Sequence, residues 1–387
     1  MNTLKELKVK NKVIFYIITS LDYGGTQRQL YILLKTLKKN YSYKIFLISL
    51  KRKGRFRKKF EKLQIPVYDL SLHDFFLLNF LFFPFALIKL IFLFFKQKPE
   101  IIHSFLFQAN IFARFLKLLR WKTKLICSER VAEKQKKWQK FLLRFSNFFV
   151  DKITVNSNEL KSFIISSQKI PPYKIEIIPN ALLKEEFKVI FSPQQIRSSL
   201  GIKKDTFLVL SVGRLHIQKG YDLLLEVIKS FAEYIQLKKY NRDFIFIVVG
   251  DGEMMVFLKN YAKKLNVENN VKFIGYKENV YDYINASDLV LLTSWWEGSP
   301  NVVLESIYFK KPVISTGVEG VSDYLDKNYI VSLENKRNKI ISEFTFKILE
   351  FYLDYNPENY KKCINKNFDI NSLSIEKIIE KYVALYC

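Results

Sequence analysis

The chain is poor in the residues that build metal centres and disulfide frameworks, with three cysteines and three histidines in 387 residues. Cys127, Cys363 and Cys387 form an odd, scattered set without CxxC spacing. They read as reduced thiols and exclude both a disulfide framework and a cysteine-based zinc site. His73, His103 and His216 are too few for a histidine-rich metal site. No metal and no cofactor is therefore expected. Internal repeats and low-complexity segments are absent. Residues 1–12 are polar and basic and lack the apolar stretch and cleavage site of a secretory signal, so a cytoplasmic location is expected.

Acidic residues are scarce in one half only. Residues 1–190 hold 37 Lys+Arg against 13 Asp+Glu, a net of +24, whereas residues 191–387 hold 26 against 24, a net of +2. Two basic runs stand out in the first half, 51–59 (KRKGRFRKK) and 134–140 (KQKKWQK). Such asymmetry points to an anionic partner for one half, either nucleic acid or an acidic membrane face. The abundance of Lys, Asn, Ile, Phe and Tyr also fits an A+T-rich genome, which discounts part of this bias.

What the chain does have is apolar content, 49%, with 26% charged residues, the balance of a globular protein. Its length implies two domains. Segment 75–95 (FFLLNFLFFPFALIKLIFLFF) has the length of a spanning helix, but Asn79, Pro84 and Lys89 interrupt it. The expectation is a break at Pro84, then a very apolar helix lying on a sheet. Its outer face either dips into lipid or is buried in the ordinary way.

Short runs rich in Ile, Val and Phe alternate with longer amphipathic stretches. The runs are 13–19, 44–49, 67–69, 101–104, 124–128, 153–156 and 175–178, then 207–212, 244–249, 271–274, 289–293 and 313–315. Helices are expected at 27–38, 108–119, 221–235, 255–265 and 302–308, with a last one at 372–386. Apolar strands alternating with helices mean parallel sheets covered on both faces, here in two successive Rossmann-like α/β sets. The boundary falls in the polar stretch 184–205, giving domains 1–190 and 191–387, with the last helix able to pack back on the first domain.

Ligands of open α/β sheets bind at the carboxyl ends of the strands. Asp22-Tyr23-Gly24-Gly25-Thr26 follows the first strand, and Thr26 is placed to cap a helix whose N-terminus favours an anion. Gly213-Arg214-Leu215, then Lys219-Gly220, follow the first strand of the second half. An Arg fork and a Lys point charge five residues on suit a diphosphate that gains charge as it leaves. Val249-Gly250-Asp251-Gly252-Glu253 resembles part of a dinucleotide fingerprint but lacks its third glycine. In SWWEGSPNVVLE, Glu297 precedes a Gly298-Ser299-Pro300-Asn301 turn and Glu305 lies on the helix that follows. Carboxylates accept pairs of hydroxyl hydrogen bonds, which suits the vicinal diols of sugar and ribose. The plainer readings are tight turns, solvated charges and helix-dipole compensation.

Glu297 and Glu305 in EGSPNVVLE look like the E-x7-E motif of retaining glycosyltransferases of the GT-B fold, family 4. GGTQR, GRLHIQKG, VVGDGE, FIGY and DLVLLTSWWEG resemble further elements of that family in its order and spacing. The resemblance covers essentially the whole chain. It implies an α/β GT-B fold, two Rossmann-like domains with parallel sheets facing across a cleft. It implies that Arg214 and Lys219 hold the donor diphosphate beside Gly213 and Gly250. Glu305 would bind ribose, Glu297 the donor sugar, and Gly298, Ser299, Pro300 and Asn301 would line the sugar and its phosphate. Gly275 would lie near the base, and Gly24 and Gly25 would face phosphates or acceptor. His103 is the histidine in place of the family's first-domain catalytic residue, although a second histidine, common two residues later, is Phe105 here. Glu129 is a weaker acceptor contact.

The implied activity is retaining transfer from a nucleotide-sugar, a UDP-sugar by default and GDP-mannose second, to a lipid-linked, anionic glycan acceptor. The basic first domain would meet the inner face of the cytoplasmic membrane, in capsule or lipopolysaccharide synthesis. The nearest rivals are a GT-B enzyme acting on soluble glucan, a catalytically silent sugar-binding relative and a nucleic-acid-binding protein. No nucleic-acid recognition module is readable.

Overall fold

A computed structural model describes residues 12–387 except 23, 52–53, 55, 73–75, 132–136 and 355. His73, most of 1–12 and parts of both basic runs lie outside the described residues. The chain forms two compact units, Met1–Leu183 with Ser372–Cys387, and Lys184–Asn371.

The first unit runs β1 (Val13–Ile18), α1 (Gly25–Asn40), β2 (Lys44–Lys51), α2 (Arg57–Lys62), β3 (Val67–Leu72), α3 (Phe76–Gln97), β4 (Ile101–Phe105), α4 (Phe107–Leu119), β5 (Lys124–Ser128), α5 (Lys137–Ser146), β6 (Lys152–Val155), α6 (Asn158–Gln168) and β7 (Ile175–Ile177). Its strands form one parallel sheet in the order β3-β2-β1-β4-β5-β6-β7. Because side chains alternate along a strand, a doubly covered strand must be apolar at every position. In β1, Ile14, Tyr16 and Ile18 pack with α1, while Phe15 and Ile17 pack with Leu90, Leu93 and Phe94 of α3 and Ala109 and Ala113 of α4. Each such fully buried large apolar side chain contributes about 1.5–3 kcal/mol.

The second unit runs α7 (Pro193–Ser199), β8 (Phe207–Val212), α8 (Tyr221–Leu237), β9 (Phe244–Val249), α9 (Met255–Lys264), β10 (Val271–Phe273), α10 (Tyr281–Ala286), β11 (Leu289–Leu292), α11 (Asn301–Tyr308), β12 (Val313–Thr316), β13 (Ile330–Val331) and α12 (Arg337–Leu353). Its parallel sheet has the order β10-β9-β8-β11-β12-β13. Residues 184–190 belong to this unit, and the Ile190 and Phe191 amides donate to Asp282 Oδ1 at 2.7 and 3.2 Å. Leu224, Ile228 and Phe231 of α8 and Phe344, Ile348 and Phe351 of α12 share one core, at the i, i+3/i+4 spacing of buried helix faces. The last helix, α13 (Ile375–Tyr386), belongs to the first unit, where Ile378, Ile379, Tyr382 and Tyr386 join the α1 side of the core.

The expected break at Pro84 does not occur, because α3 continues through it. Proline's fixed φ is helical, so what is lost is one amide donor and some room at the carbonyl four residues earlier. The helix is neither wholly buried nor wholly exposed: Leu90 and Phe94 are fully buried, whereas Phe85, Ile88, Phe92 and Phe95 are between 50% and 72% exposed. Among the described residues, no helix is long and apolar enough to cross a membrane.

Candidate functional site

In the second unit the carboxyl ends of β8, β9 and β11 are tied to one another by their loops. The Gly213 amide donates to the Val249 carbonyl at 3.0 Å and the Leu215 amide to the Asp251 carbonyl at 3.0 Å. The Gly250 amide donates to the Gly275 carbonyl at 2.9 Å. A Cβ on Gly250, whose φ is +152°, would stand 1.8 Å from the Gly213 carbonyl oxygen. That glycine therefore serves the approach of two loops, a packing reason for a motif that resembles half a dinucleotide fingerprint.

Lys219 ends a short 3-10 turn, Ile217–Lys219, and Gly220 follows at φ +60° with its Cβ position 2.1 Å from the Thr293 carbonyl oxygen. The Thr293 hydroxyl donates to the Lys219 carbonyl at 3.1 Å, the Trp295 amide to the Gln218 carbonyl at 2.8 Å, and the Gln218 side-chain amide to the Trp296 carbonyl at 2.9 Å. These bonds fasten the loop after β8 to the loop after β11. They bring Lys219 Nζ to 2.5 Å from Glu297 Oε1, which also accepts from the Ser294 hydroxyl at 2.8 Å. The Lys219 alkyl chain runs past Gly213, where a Cβ would sit 3.3 Å from Lys219 Cε. The buried Tyr221 hydroxyl donates to the Gly213 carbonyl at 3.1 Å, and burial, reinforced by the Glu297 charge, holds its pKa far above the ordinary value.

Arg214 is exposed one residue beyond Gly213 and makes no ion pair among the described residues. Gly298, Ser299 and Pro300 are buried, and the Ser299 and Tyr324 hydroxyls lie 2.9 Å apart. Asn301 opens α11 after Pro300, no side chain caps that helix, and Glu305 lies on it, 4% exposed. The structure thus brings Lys219 and Glu297 into contact, with Gly213 and Gly250 beside the same loops. It also adds Glu319, which the motifs did not single out: its Oε2 accepts the Glu297 amide at 3.3 Å. A signal was present, since Val318-Glu319-Gly320 follows a strand end like the other motifs.

In the first unit the outcome is different. Gly24 is the N-cap of α1, without a side-chain bond, and Thr26 lies inside the helix. The expected Thr26 cap is therefore absent, because the helix begins one residue before it. Gly24 and Gly25 are both exposed.

His103 lies inside the first unit, not at its surface. It is fully buried, with Nδ1 2.8 Å from the Tyr386 hydroxyl and Nε2 2.8 Å from the Ser128 hydroxyl. The Tyr16 and Tyr386 hydroxyls lie 2.9 Å apart and join the same buried network. Burial, helped by the nearby Arg130 charge, holds the His103 pKa well below the ordinary value. The histidine anchors α13 to the sheet. Glu129 is likewise buried, accepting from the Asn110 side chain at 3.0 Å. At the carboxyl end of β4, Leu106 has φ +75° and ψ 157°, a conformation that a β-carbon strains by about 1–3 kcal/mol.

Residues 23–182 match the family described as "Glycosyltransferase Family 4", and residues 192–367 match "Glycosyl transferases group 1". The chain is 27% identical, over 78% of both chains, to the Escherichia coli UDP-Gal:alpha-D-GlcNAc-diphosphoundecaprenol alpha-1,3-galactosyltransferase. It is 29% identical, over 92% of both chains, to a Campylobacter jejuni alpha-1,4-N-acetyl-D-galactosaminyltransferase named for a diNAcBac-PP-undecaprenol-linked GalNAc substrate. An Anabaena protein, HepE, solved with UDP and glucose, superposes with a TM-score of 0.77 over 97% of this chain and 99% of its own, at 17% identity.

Proposed function

The chain belongs to the family 4 glycosyltransferases of the GT-B fold, and from that premise we propose that it moves a sugar, with retention, from a UDP-sugar to a lipid-linked glycan acceptor of surface polysaccharide synthesis. The observation that carries this reading is the Lys219–Glu297 contact at the ligand end of the second unit's sheet. A cation and a carboxylate held together are matched to the two polar parts of a nucleotide-sugar, its diphosphate and its sugar hydroxyls.

In this reading Arg214 and Lys219 hold the diphosphate, Glu297 and the turn Gly298–Asn301 hold the sugar, Glu305 takes the ribose hydroxyls, and Gly275 lies by the base. Bond cleavage at the anomeric carbon puts negative charge on the leaving diphosphate, which the two cations stabilise where it develops. The acceptor hydroxyl oxygen bonds to the anomeric carbon on the face the diphosphate leaves, and its proton passes to a diphosphate oxygen. With His103 buried in the first unit, the leaving group itself is the available base. A double displacement would need a carboxylate nucleophile beneath the sugar, and Glu297 and Glu305 have binding roles instead. The charges of Arg214 and Lys219 make a metal unnecessary to this route.

The acceptor class is supported by the names of the Escherichia coli and Campylobacter relatives, both of which carry a diphosphoundecaprenol-type lipid. The net charge of +24 over residues 1–190 supports attachment to the inner face of an anionic cytoplasmic membrane. The test is a panel of UDP-, GDP- and other nucleotide-sugars, read first as thermal shift and then as transfer to a polyprenyl-diphosphate glycan. A UDP-sugar should stabilise and be turned over, and NMR of the product should show the donor's anomeric configuration. An inverted product, or turnover only on free glucan, overturns the reading.

A further inference from the structure

Four aromatic side chains on and just after α5 are exposed rather than packed into the described core. Trp138, Phe141, Phe145 and Phe148 are 57%, 73%, 76% and 74% exposed. Their spacing of three, four and three residues puts them along one helical stripe, while Leu143, on the opposite side, is fully buried. The stripe is extended at both ends by ring contacts with neighbouring elements. Trp138 meets Phe107, at the start of α4, with centroids 6.0 Å apart, and Phe148 meets the 56% exposed Trp121, beyond the end of α4, at 5.9 Å. Single exposed aromatics are ordinary, but five exposed rings gathered here, Trp121, Trp138, Phe141, Phe145 and Phe148, mark an interaction site.

The sequence around the row says what it binds. Residues 134–149 contain five cations, Lys134, Lys136, Lys137, Lys140 and Arg144, and no carboxylate. Arg144 is exposed on the helix beside the stripe. A protein partner would be expected to find a mixed polar rim, and a stacked nucleic acid a groove. A row of Trp and Phe in a stretch of sequence whose charges are all positive, with Arg144 exposed beside it, matches an anionic bilayer, where rings enter the headgroup region and cations meet lipid phosphates.

We propose that the α5 stripe, Trp138, Phe141, Phe145 and Phe148 with Trp121, is the surface by which the first unit seats on an anionic lipid bilayer. The proposal rests on the membrane part of the function above and names its contact residues. It selects α5, where five cations fall within sixteen residues, over the exposed apolar face Phe85, Ile88, Phe92 and Phe95 of α3, whose helix carries two, Lys89 and Lys96.

The experiment compares the full chain with Trp138→Ser/Phe141→Ser/Phe145→Ser and, separately, with Phe85→Ser/Phe92→Ser, by flotation with vesicles of phosphatidylglycerol and phosphatidylcholine. All these positions are exposed, so thermal midpoints should match the parent. The α5 variant should partition roughly tenfold less or weaker still, the α3 variant like the parent, and brominated lipid should quench parent tryptophan fluorescence. If the parent floats and the α5 variant floats equally well, this surface is wrong while membrane attachment stands. If the parent does not float at low salt, the membrane reading itself fails and the proposal with it. Loss of self-association, or of binding to a single-stranded RNA oligonucleotide, in the α5 variant with vesicle partition unchanged would assign the stripe elsewhere and overturn the proposal.

Discussion

Lys219 and Glu297, 78 residues apart in sequence, lie with Nζ and Oε1 2.5 Å from one another, and their side chains are only 20% and 10% exposed. In the proposed cycle a donor must exchange this pair, drawing Lys219 to the diphosphate and leaving Glu297 to the sugar hydroxyls. Glu297→Ala separates the two roles. Loss of charged hydrogen bonds costs about 1.5–3 kcal/mol each, so kcat/KM for the nucleotide-sugar should fall roughly 10–100-fold. Binding of the nucleoside diphosphate without its sugar, by titration calorimetry, should stay near the parent's. Equal losses for both ligands would mean that Glu297 acts by positioning Lys219 and not by holding the sugar.

Gly250 is where the loop after β9 meets the Gly213 turn of the loop after β8. A methyl group there would enter the Gly213 carbonyl, 1.8 Å away, on a backbone with φ +152°. Gly250→Ala should therefore lower stability by about 1–3 kcal/mol, visible as a lower urea midpoint, and weaken diphosphate binding through the displaced Gly213-Arg214 turn. An unchanged midpoint would mean the loops separate freely.

His103 makes stability depend on pH in a definite direction. Its folded pKa is pushed well below 6.5 by burial and by Arg130, so between those two values the unfolded chain binds a proton that the folded one refuses. Stability is then full above about pH 6.5 and falls as pH drops toward the folded pKa, by up to about 1.4 kcal/mol per unit. His103→Gln should remove this acid limb from urea midpoints measured across pH. In the folded variant it should also leave turnover within about tenfold of the parent, since general acid–base catalysis contributes 10²–10⁴-fold. A larger loss of kcat with normal stability would restore a catalytic role.

The fold was legible where periodicity was strong. β1 and β2 are apolar on both faces because helices cover both, and such runs read as parallel strands without any structure. The two-residue β13 and the long α12 were not legible: the first is too short for a pattern, and α12 interrupts its apolar positions with Lys, Ser, Glu and Thr. Pro84 misled because a proline cannot donate, yet its φ fits a helix. In the site, Lys219 and Glu297 carried charge types that chemistry needs at strand ends, and both were singled out. The surroundings of His103 were not legible, because a histidine at a strand end looks the same in sequence whether it faces a ligand or a tyrosine. The partner that decides the matter, Tyr386, lies 283 residues away.

The most direct measurement is steady-state transfer by Lys219→Ala, with the unfolding midpoint measured on the same preparation. Removing a cation aimed at developing charge costs about 2.7–4 kcal/mol, so kcat should drop roughly 10²–10³-fold while the fold persists. A near-parental kcat in a folded variant would contradict the account.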